Sequence, residues 1–365
     1  MQIFKCTSCA HPVYFDNLSC TACGHELGFD CDGMQMVALA PSLEQPSVLI
    51  DPATQQHYKF CSNHQYDVCN WVIATESTEE FCVACRVNRV IPNLSDFEYR
   101  QRWHKIELAK HRLIYSLLRW NLPVKSKVED PERGLAFDFK ADPNSPNEPR
   151  VLTGHDNGLI TLNIAEADDV ERAMARDNMD EVYRTLLGHF RHEIGHYYWE
   201  ILIDQTEYLA PCRALFGDDR ESYQDALDRH YHQGPPANWR ENYISSYATM
   251  HPWEDWAETW AHYLHIVDVL ETVYTFGVQI HPQIISDQPS HFMRLAQPID
   301  PYAGHSFDEI YQAWLPVSFS MNSLNRSMGQ EDFYPFVINQ PVREKLQFIH
   351  DVIQKQRLHE HAKSA

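Results

Sequence analysis

Apolar residues recur at helical spacing between residues 180 and 203, and this pattern predicts an amphipathic helix. Its apolar positions are Val182, Tyr183, Leu186, Leu187, Phe190, Ile194, Tyr198, Ile201 and Leu202. A long helix is predicted from Ser95 or Asp96, either of which could cap it, to about Trp120. Further helices are predicted at 307–314, 315–328 and 342–353, followed by a polar tail, 359–365, that we expect to fray.

Two other segments alternate apolar and polar residues with the period of a β-strand, at 135–139 and 159–164. The sequence Gly-His-Asp-Asn-Gly at 154–158 predicts a hairpin turn. A small sheet is therefore expected directly before the 180–203 helix. Its edge strand could hold an extended peptide by backbone pairing, or the sheet could simply cover the helix.

Composition narrows the class of protein. The chain has 365 residues and a formal net charge of −21, and phosphate contacts need clustered Lys and Arg, so we expect no nucleic-acid partner. No apolar run reaches the ~18 residues of a membrane span, and the N-terminus lacks the pattern of a secretory signal. These features predict a cytoplasmic protein that does not bind membranes.

Ten cysteines are present, and eight of them fall in the first 85 residues at metal-ligand spacing. Two matched C-x-x-C pairs form the first predicted structural zinc site, which comprises Cys6, Cys9, Cys20 and Cys23. The second predicted site comprises Cys61, Cys69, Cys82 and Cys85. His64 is an alternative ligand to Cys61 or Cys69. The stretch between the two sites, 40–52, is rich in Pro, Ser and Glu and is expected to be a loop.

The 180–203 helix contains the pattern H-E-x-x-H at His192, Glu193 and His196. Two imidazoles one helical turn apart can bind one Zn²⁺, and the intervening carboxylate can act as a general base toward water. A third ligand is expected on a later helix that begins near Pro252. Glu254 and Glu258 share one face of that helix, so one could bind zinc while the other orients a ligand imidazole.

These motifs resemble the gluzincin metallopeptidases, in which H-E-x-x-H is followed by E-x-x-x-[DE]. The string Glu254-Asp255-Trp256-Ala257-Glu258 is similar to the E-x-F-A-E of lethal-factor-like gluzincins. That resemblance implies that Glu254 is the third zinc ligand and that Glu258 supports a ligand histidine. It also implies that Tyr247, seven residues before Glu254, donates a hydrogen bond to the tetrahedral oxyanion. Tyr243 is a nearby competitor for this role.

Nearly the whole chain resembles a bacterial family of zinc-binding metallopeptidases with an N-terminal zinc ribbon. Supporting stretches are 61–85, 153–167, 188–193, 255–263 and 324–329. Extra histidines depart from the better-known gluzincins. His189 and His262 each lie one turn from a motif residue and are candidates for lining the cleft.

The sequence thus predicts an α+β protein with two regions. Residues 1–95 form a zinc-ribbon region with four-cysteine zinc sites at about 1–32 and 58–92, and residues 96–365 form a mainly helical zincin-like metallopeptidase domain with a small β-sheet. The predicted function is peptide-bond hydrolysis by a zinc-activated water with Glu193 as general base, using one catalytic and two structural zinc ions. Peptide or protein is the expected substrate, and the ribbon could bind a protein partner. The alternative is a non-catalytic, zinc-stabilised peptide-binding or adaptor protein with a zincin fold.

Overall fold

The computed structural model describes residues 2–42, 48–143, 148–168, 185–283 and 293–364, with side chains described as far as residue 359. Helix and strand are mixed, as predicted, and the cysteine-rich region comes first. Its first sheet is the antiparallel pair β1 (Ile3–Lys5) and β2 (Pro12–Tyr14). A closed five-stranded barrel follows, built from β3 (Glu26–Asp30), β4 (Gln35–Pro41), β5 (Leu49–Ile50), β6 (His57–Phe60) and β7 (Trp71–Ala74).

The barrel lies where the sequence suggested a loop between the two cysteine sets. Of the predicted loop 40–52, residues 43–47 lie outside the described part of the chain, and β5 at its end pairs with both β4 and β6. The barrel strands bury Phe29 and Trp71, whose rings lie 4.8 Å apart. Short strands closed into a barrel satisfy their backbone groups without a long apolar run, which explains why the pattern was missed.

The second sheet has the strand order β10-β11-β9-β8. Its members are β8 (Asn88–Val90), β9 (Ala136–Lys140), β10 (Gly154–Asp156) and β11 (Leu159–Asn163). The predicted hairpin is confirmed: β10 and β11 pair antiparallel across Asn157 and Gly158, whose φ angles of 47° and 74° are those of a tight hairpin turn. Strand β8 precedes the predicted boundary at residue 95 yet pairs with β9. The two regions therefore share a sheet.

Seven α-helices lie in the described residues. They are α1 (Phe97–Arg119), α2 (Leu186–Leu202), α3 (Leu209–Phe216), α4 (Tyr223–Gln233), α5 (Pro252–Thr275), α6 (Phe307–Ser327) and α7 (Gln340–Ser364). Asp96 is the residue that caps α1, since its side chain accepts from the amides of Glu98 and Tyr99. Helix α2 carries the H-E-x-x-H pattern, and the part of its prediction at 180–184 lies outside the described residues.

Two predictions near the C-terminus were wrong. The separate helices at 307–314 and 315–328 are one helix, α6, which continues through Pro316. Proline removes one backbone donor, but Trp314 and Val317 on either side are buried in the core and hold the helix together. The tail that was expected to fray continues α7 to Ser364. Helices α3 and α4 were not predicted.

Helices α2 and α5 make the most extensive helix contact among the described residues, and Gly195 allows it. A Cβ atom at this position would lie 3.1 Å from the Cα atom of Ala257 and 3.2 Å from the Cβ atom of Trp260. The indole of Trp256 donates a hydrogen bond of 2.8 Å to the carbonyl oxygen of Gly195. Glycine therefore allows an approach of the two backbones that any side chain would force apart by at least a few tenths of an ångström.

We expect Gly195→Val to lower the free energy of unfolding by about 1–3 kcal/mol, because the added atoms must push α5 away or adopt strained rotamers. Urea denaturation of the purified protein measures this change. Gly154→Val is a matched control, since a Cβ at Gly154 meets no atom within 4 Å, and it should change stability by less than about 0.5 kcal/mol. Equal midpoints for Gly195→Val and the wild type would contradict the close-packing account.

Candidate active site

Four cysteines near the N-terminus converge on one point. Sγ of Cys6 lies 3.7 Å from Sγ of Cys23, and Sγ of Cys9 lies 3.6 Å from Sγ of Cys20. These distances exclude disulfides, whose sulfurs are about 2.05 Å apart, and match the roughly 3.8 Å that separates thiolates around a tetrahedral zinc. Backbone hydrogen bonding from Cys23 lowers the pKa of Cys20 to about 6, whereas burial raises the pKa of Cys6 to about 12, so the geometry rather than the acidity of the thiols indicates the metal. The four residues fit a structural zinc ion.

The second cysteine set also comes together, and all four side chains are buried. Cys69 and Cys82 have their sulfurs 3.7 Å apart, and the four sulfurs lie within 4.8 Å of one another. His64 is not part of this cluster: its Nδ1 lies 2.8 Å from the carbonyl oxygen of Cys69, and its ring stacks on Phe60. The geometry therefore favours the four-cysteine ligand set over the one with His64.

Helix α1 completes the surroundings of the second cysteine set. Nε2 of His111 lies 3.8 Å from Sγ of Cys85, and Oε2 of Glu107 lies 3.9 Å from the same sulfur. Lys110 pairs with Oε1 of Glu107 at 2.9 Å, and all of these side chains are buried. The cysteine-rich region thus contacts the larger region through charged and metal-ligand side chains.

A third cluster lies between α2 and α5 and contains the three predicted catalytic ligands. Nε2 of His192 is 3.2 Å from Nε2 of His196 and 2.9 Å from Oε2 of Glu254. Nε2 of His196 is 3.4 Å from the same carboxylate oxygen. Ligand atoms around a four-coordinate zinc with nitrogen and oxygen donors are separated by roughly 3.3 Å. The three residues are thus arranged as one set of possible metal ligands.

Local structure explains how Glu254 reaches the two histidines. Pro252 occupies the first turn of α5, and the imidazole of His251 accepts a hydrogen bond from the amide of Trp253 as the helix cap. Oε2 of Glu254 is buried and, among the described residues, makes no hydrogen bond of regular geometry. A buried carboxylate oxygen facing two imidazole nitrogens fits a cation at this position.

Charge keeps Glu254 ionised although it is buried. Burial acts to raise its pKa, but the electrostatic attraction of His196 and the close contacts with both imidazoles outweigh it, so the pKa lies well below its ordinary value. The carboxylate is therefore in the form that binds metal.

Glu258 lies one turn further along α5 and contacts the opposite side of His192. Its Oε1 is 2.7 Å from Nδ1 of His192, and its Oε2 accepts a hydrogen bond of 2.6 Å from the hydroxyl of Ser245. A carboxylate on Nδ1 fixes the imidazole so that Nε2 faces the metal position. This is the arrangement that the gluzincin resemblance implied for Glu258.

Glu193 lies beside the ligand set and is held by His189. Nε2 of His189 is 3.0 Å from Oε1 of Glu193, while its Nδ1 is 2.6 Å from Oε2 of Glu166. Burial acts to raise the pKa of Glu193, but the hydrogen bond and charge of His189 outweigh it, so the pKa lies below its ordinary value. The carboxylate can therefore accept a proton.

Two tyrosines face the cluster, and only one was predicted. The ring of Tyr247 lies 6.0 Å from that of His192. The unpredicted Tyr223, on α4, donates a hydrogen bond of 3.0 Å to Oε1 of Glu254, and burial followed by the charge of Glu254 raises its pKa, so that the phenol keeps its proton. The sequence did carry a signal for α4, because Ser222 caps it and Asp225 follows three residues later.

Two other predicted residues are not where the sequence placed them. His262 does not line the cleft: it is buried, 1% exposed, and its Nδ1 lies 2.9 Å from the hydroxyl of Tyr334. Tyr243 lies against Lys345, whose Nζ is 4.5 Å from the ring centroid. Both residues lie in the expected part of the chain, but the packing turns them toward the core and α7.

Strand β10 also lies close to the cluster. The ring of His155, on this strand, lies 6.0 Å from that of His196 and 5.9 Å from that of Trp253. Among the described residues β10 is an end strand of its sheet, and its His155 lies near the candidate metal site. In the described part of the chain, no helix is both long and apolar enough to cross a membrane.

Fold and site together define a protein with a cysteine-rich zinc-ribbon region and a buried cluster of two histidines and one glutamate. Residues 99–352 match the model of a family described as "Putative zinc-binding metallo-peptidase", and residues 3–96 match that of a zinc-ribbon domain. The chain therefore belongs to this family of zinc-binding metallopeptidases.

Similar full-length proteins occur in mycobacteria. Uncharacterized proteins of Mycobacterium bovis and Mycobacterium tuberculosis are each 41% identical to the chain over 354 residues, covering 97% of this chain and 95% of the relative. None of the solved structures matches the chain. The relatives carry no described activity, so the arrangement of the side chains has to support any functional proposal.

We expect three zinc ions per chain in the purified protein, because the described residues contain three separate groups with the donor atoms and spacing for one ion each; a fourth group, Cys85, Glu107 and His111, shares Cys85 with the second site. Metal analysis by mass spectrometry gives this count. Glu254→Ala should lower it to two while the circular dichroism spectrum stays unchanged, and Cys20→Ala should also lower it to two. A count of two that Glu254→Ala leaves unaffected would mean that the cluster between α2 and α5 binds no zinc.

Proposed function

We propose that this protein is a zinc-dependent peptidase whose catalytic ion is bound by His192, His196 and Glu254. The observation that carries the proposal is the convergence of three ligand atoms, 2.9–3.4 Å apart, with the buried carboxylate of Glu193 directly after the first ligand on α2. When bound, zinc supplies Lewis-acid polarisation of the scissile carbonyl and makes water more acidic.

Glu193 is the general base in this proposal. It accepts the proton of the attacking water and then delivers it to the leaving amine. The carboxylate is ionised at neutral pH, which is the form that accepts a proton. An adaptor that only bound peptide would have no chemical use for a carboxylate held in this position, so Glu193 favours the peptidase over the adaptor alternative.

The two tyrosines take different roles. Tyr223 donates to Glu254 and so supports a ligand, whereas Tyr247, near His192, provides the phenol that donates to the developing oxyanion. In this proposal the substrate backbone pairs with β10, an end strand of the described sheet, whose His155 ring lies 6.0 Å from that of His196. Main-chain pairing at an edge strand holds a peptide extended without demanding a particular sequence.

Glu193→Gln should abolish hydrolysis while the zinc count stays at its wild-type value, because the amide keeps the shape of the side chain but accepts no proton. The measurement is turnover of a mixed library of quenched fluorescent peptides by the zinc-loaded protein. Glu98→Gln, an exposed glutamate on α1, is the control and should retain full activity. Unchanged turnover in Glu193→Gln would refute this mechanism.

Tyr247→Phe and Tyr223→Phe should have separable effects. Loss of the oxyanion donor in Tyr247→Phe should lower kcat by ~10²–10³-fold with zinc retained. Tyr223→Phe should weaken zinc binding by about 10–100-fold, because it removes a hydrogen bond to a ligand. Competition with a chelator and steady-state kinetics measure the two effects, and an exposed tyrosine variant, Tyr231→Phe, serves as control. Exchanged phenotypes would reverse the two assignments.

A further inference from the structure

A chain of hydrogen bonds leads from the β10–β11 hairpin to Glu193. Thr153, directly before β10, donates its hydroxyl proton to Oε1 of Glu166. Oε2 of Glu166 is 2.6 Å from Nδ1 of His189, and Nε2 of His189 is 3.0 Å from Oε1 of Glu193. Thr153, Glu166 and His189 are not part of the candidate zinc cluster, yet the series of hydrogen bonds that they form ends on the proposed general base.

The direction of these hydrogen bonds follows from their chemistry. Glu166 and Glu193 both meet the ring with carboxylate oxygens, which only accept hydrogen bonds. His189 therefore carries a proton on each ring nitrogen, and Nδ1–H donates to Glu166 while Nε2–H donates to Glu193. Histidine presents its two nitrogens on opposite sides of a rigid ring, and the ring cannot turn away from Glu193 without losing its contact with Glu166.

Glu166 is itself fixed by local structure. It lies in a short 3₁₀ turn, Ile164–Ala167, that directly follows β11 and is capped by the side chain of Asn163. The backbone N–H of Asn163 also donates a hydrogen bond of 3.0 Å to the hydroxyl of Thr153. Glu166 is 8% exposed and Glu193 5% exposed, so bulk water competes little for these hydrogen bonds. Glu166 is thus fixed by the end of the sheet and not by the helix that carries the H-E-x-x-H pattern.

We propose that His189 and Glu166 form a positioning pair that holds the side chain of Glu193 in its catalytic orientation. The proposal rests on the function proposed above. Glutamate has three rotatable side-chain bonds, and the helix alone does not select one rotamer. His189 engages Oε1 only, and among the described residues the other oxygen of Glu193 makes no hydrogen bond. One oxygen is therefore held while the other remains available for proton transfer.

A purely stabilising role for the same contacts makes different predictions. Buried hydrogen-bonded charges often contribute to folding alone, and their removal then lowers stability without a specific effect on turnover. A positioning pair acts on kcat, because small displacements of a reacting group are costly to the chemical step. It also makes the effects of the two residues depend on each other, since in the described part of the chain Glu166 is linked to Glu193 through His189.

The experiment compares four variants of the full-length, zinc-loaded protein: His189→Ala, His189→Gln, Glu166→Gln and the double variant Glu166→Gln/His189→Ala. The substrate is the quenched fluorescent peptide that the wild type cleaves fastest in the mixed library. We expect His189→Ala to lower kcat by about 10²-fold with KM and zinc count unchanged. Glu166→Gln should lower kcat by roughly 10-fold, and the double variant should be no worse than His189→Ala.

His189→Gln tests whether the hydrogen bond itself matters. The glutamine amide can donate to Glu193 from nearly the position of Nε2. The kcat of this variant should therefore stay within roughly 10-fold of the wild-type value, and replacing Glu166 in it should not lower kcat further. His305→Ala is the matched control, because His305 and Glu309 form a similar pair, 3.4 Å apart and one turn apart on the surface near the start of α6. It should leave kcat unchanged.

Crystal structures of the zinc-loaded wild type and His189→Ala provide a readout that needs no substrate. We expect one rotamer of Glu193 in the wild type and more than one in the variant. Three results would each overturn the positioning proposal. Glu193 could keep its single wild-type rotamer in His189→Ala, the double variant could lower kcat by the product of the two single effects, or His189→Ala could keep full activity. If Glu193→Gln loses activity while His189→Ala keeps it, only this inference fails. If Glu193→Gln stays active, the proposed function fails with it.

Discussion

The close packing of α2 against α5 is the constraint on which the candidate site depends. Neither helix carries a complete ligand set: α2 contributes two imidazoles, and α5 contributes the third ligand together with the carboxylate behind one of those imidazoles. Gly195 lets the two backbones approach until a Cβ would touch Ala257, and the indole of Trp256 locks the contact with a hydrogen bond. A shift of one or two ångströms here would separate ligand atoms that have to meet at a single ion.

Buried charge is balanced locally around this contact. Three carboxylates at the site have an imidazole partner: Glu254 and Glu258 with His192, and Glu193 with His189. Unpaired buried carboxylates would be strongly destabilising, so the network requires that most members be present together. A cation between the histidines and Glu254 would complete the balance, which explains why so many acidic groups can be buried in one place.

The cysteine-rich region is part of the same packing unit. Helix α1 contacts Cys85 through His111 and Glu107 on one side, and it packs against α2 on another. Aromatic rings extend the contact, since Phe15 of the ribbon lies 5.3 Å from Tyr115 of α1. A metal-stabilised module that is this closely joined to α1 provides a rigid support for the helices behind the site.

The sequence by itself determined the local features of this protein. Helical periodicity located α1, α2 and α5, cysteine spacing located two metal clusters, and H-E-x-x-H placed two imidazoles and a carboxylate on one helix, because each of these patterns acts within a few residues. Tyr223 and the partnership of Glu166 with His189 could not be found in this way. They join residues 31 and 23 positions apart in the chain, and no local pattern specifies which distant side chain will face another. The sequence also placed His262 at the cleft, whereas packing against Tyr334 buries it. Which face of a helix meets which neighbour is set by the packing of the whole core, and only the tertiary structure decided it.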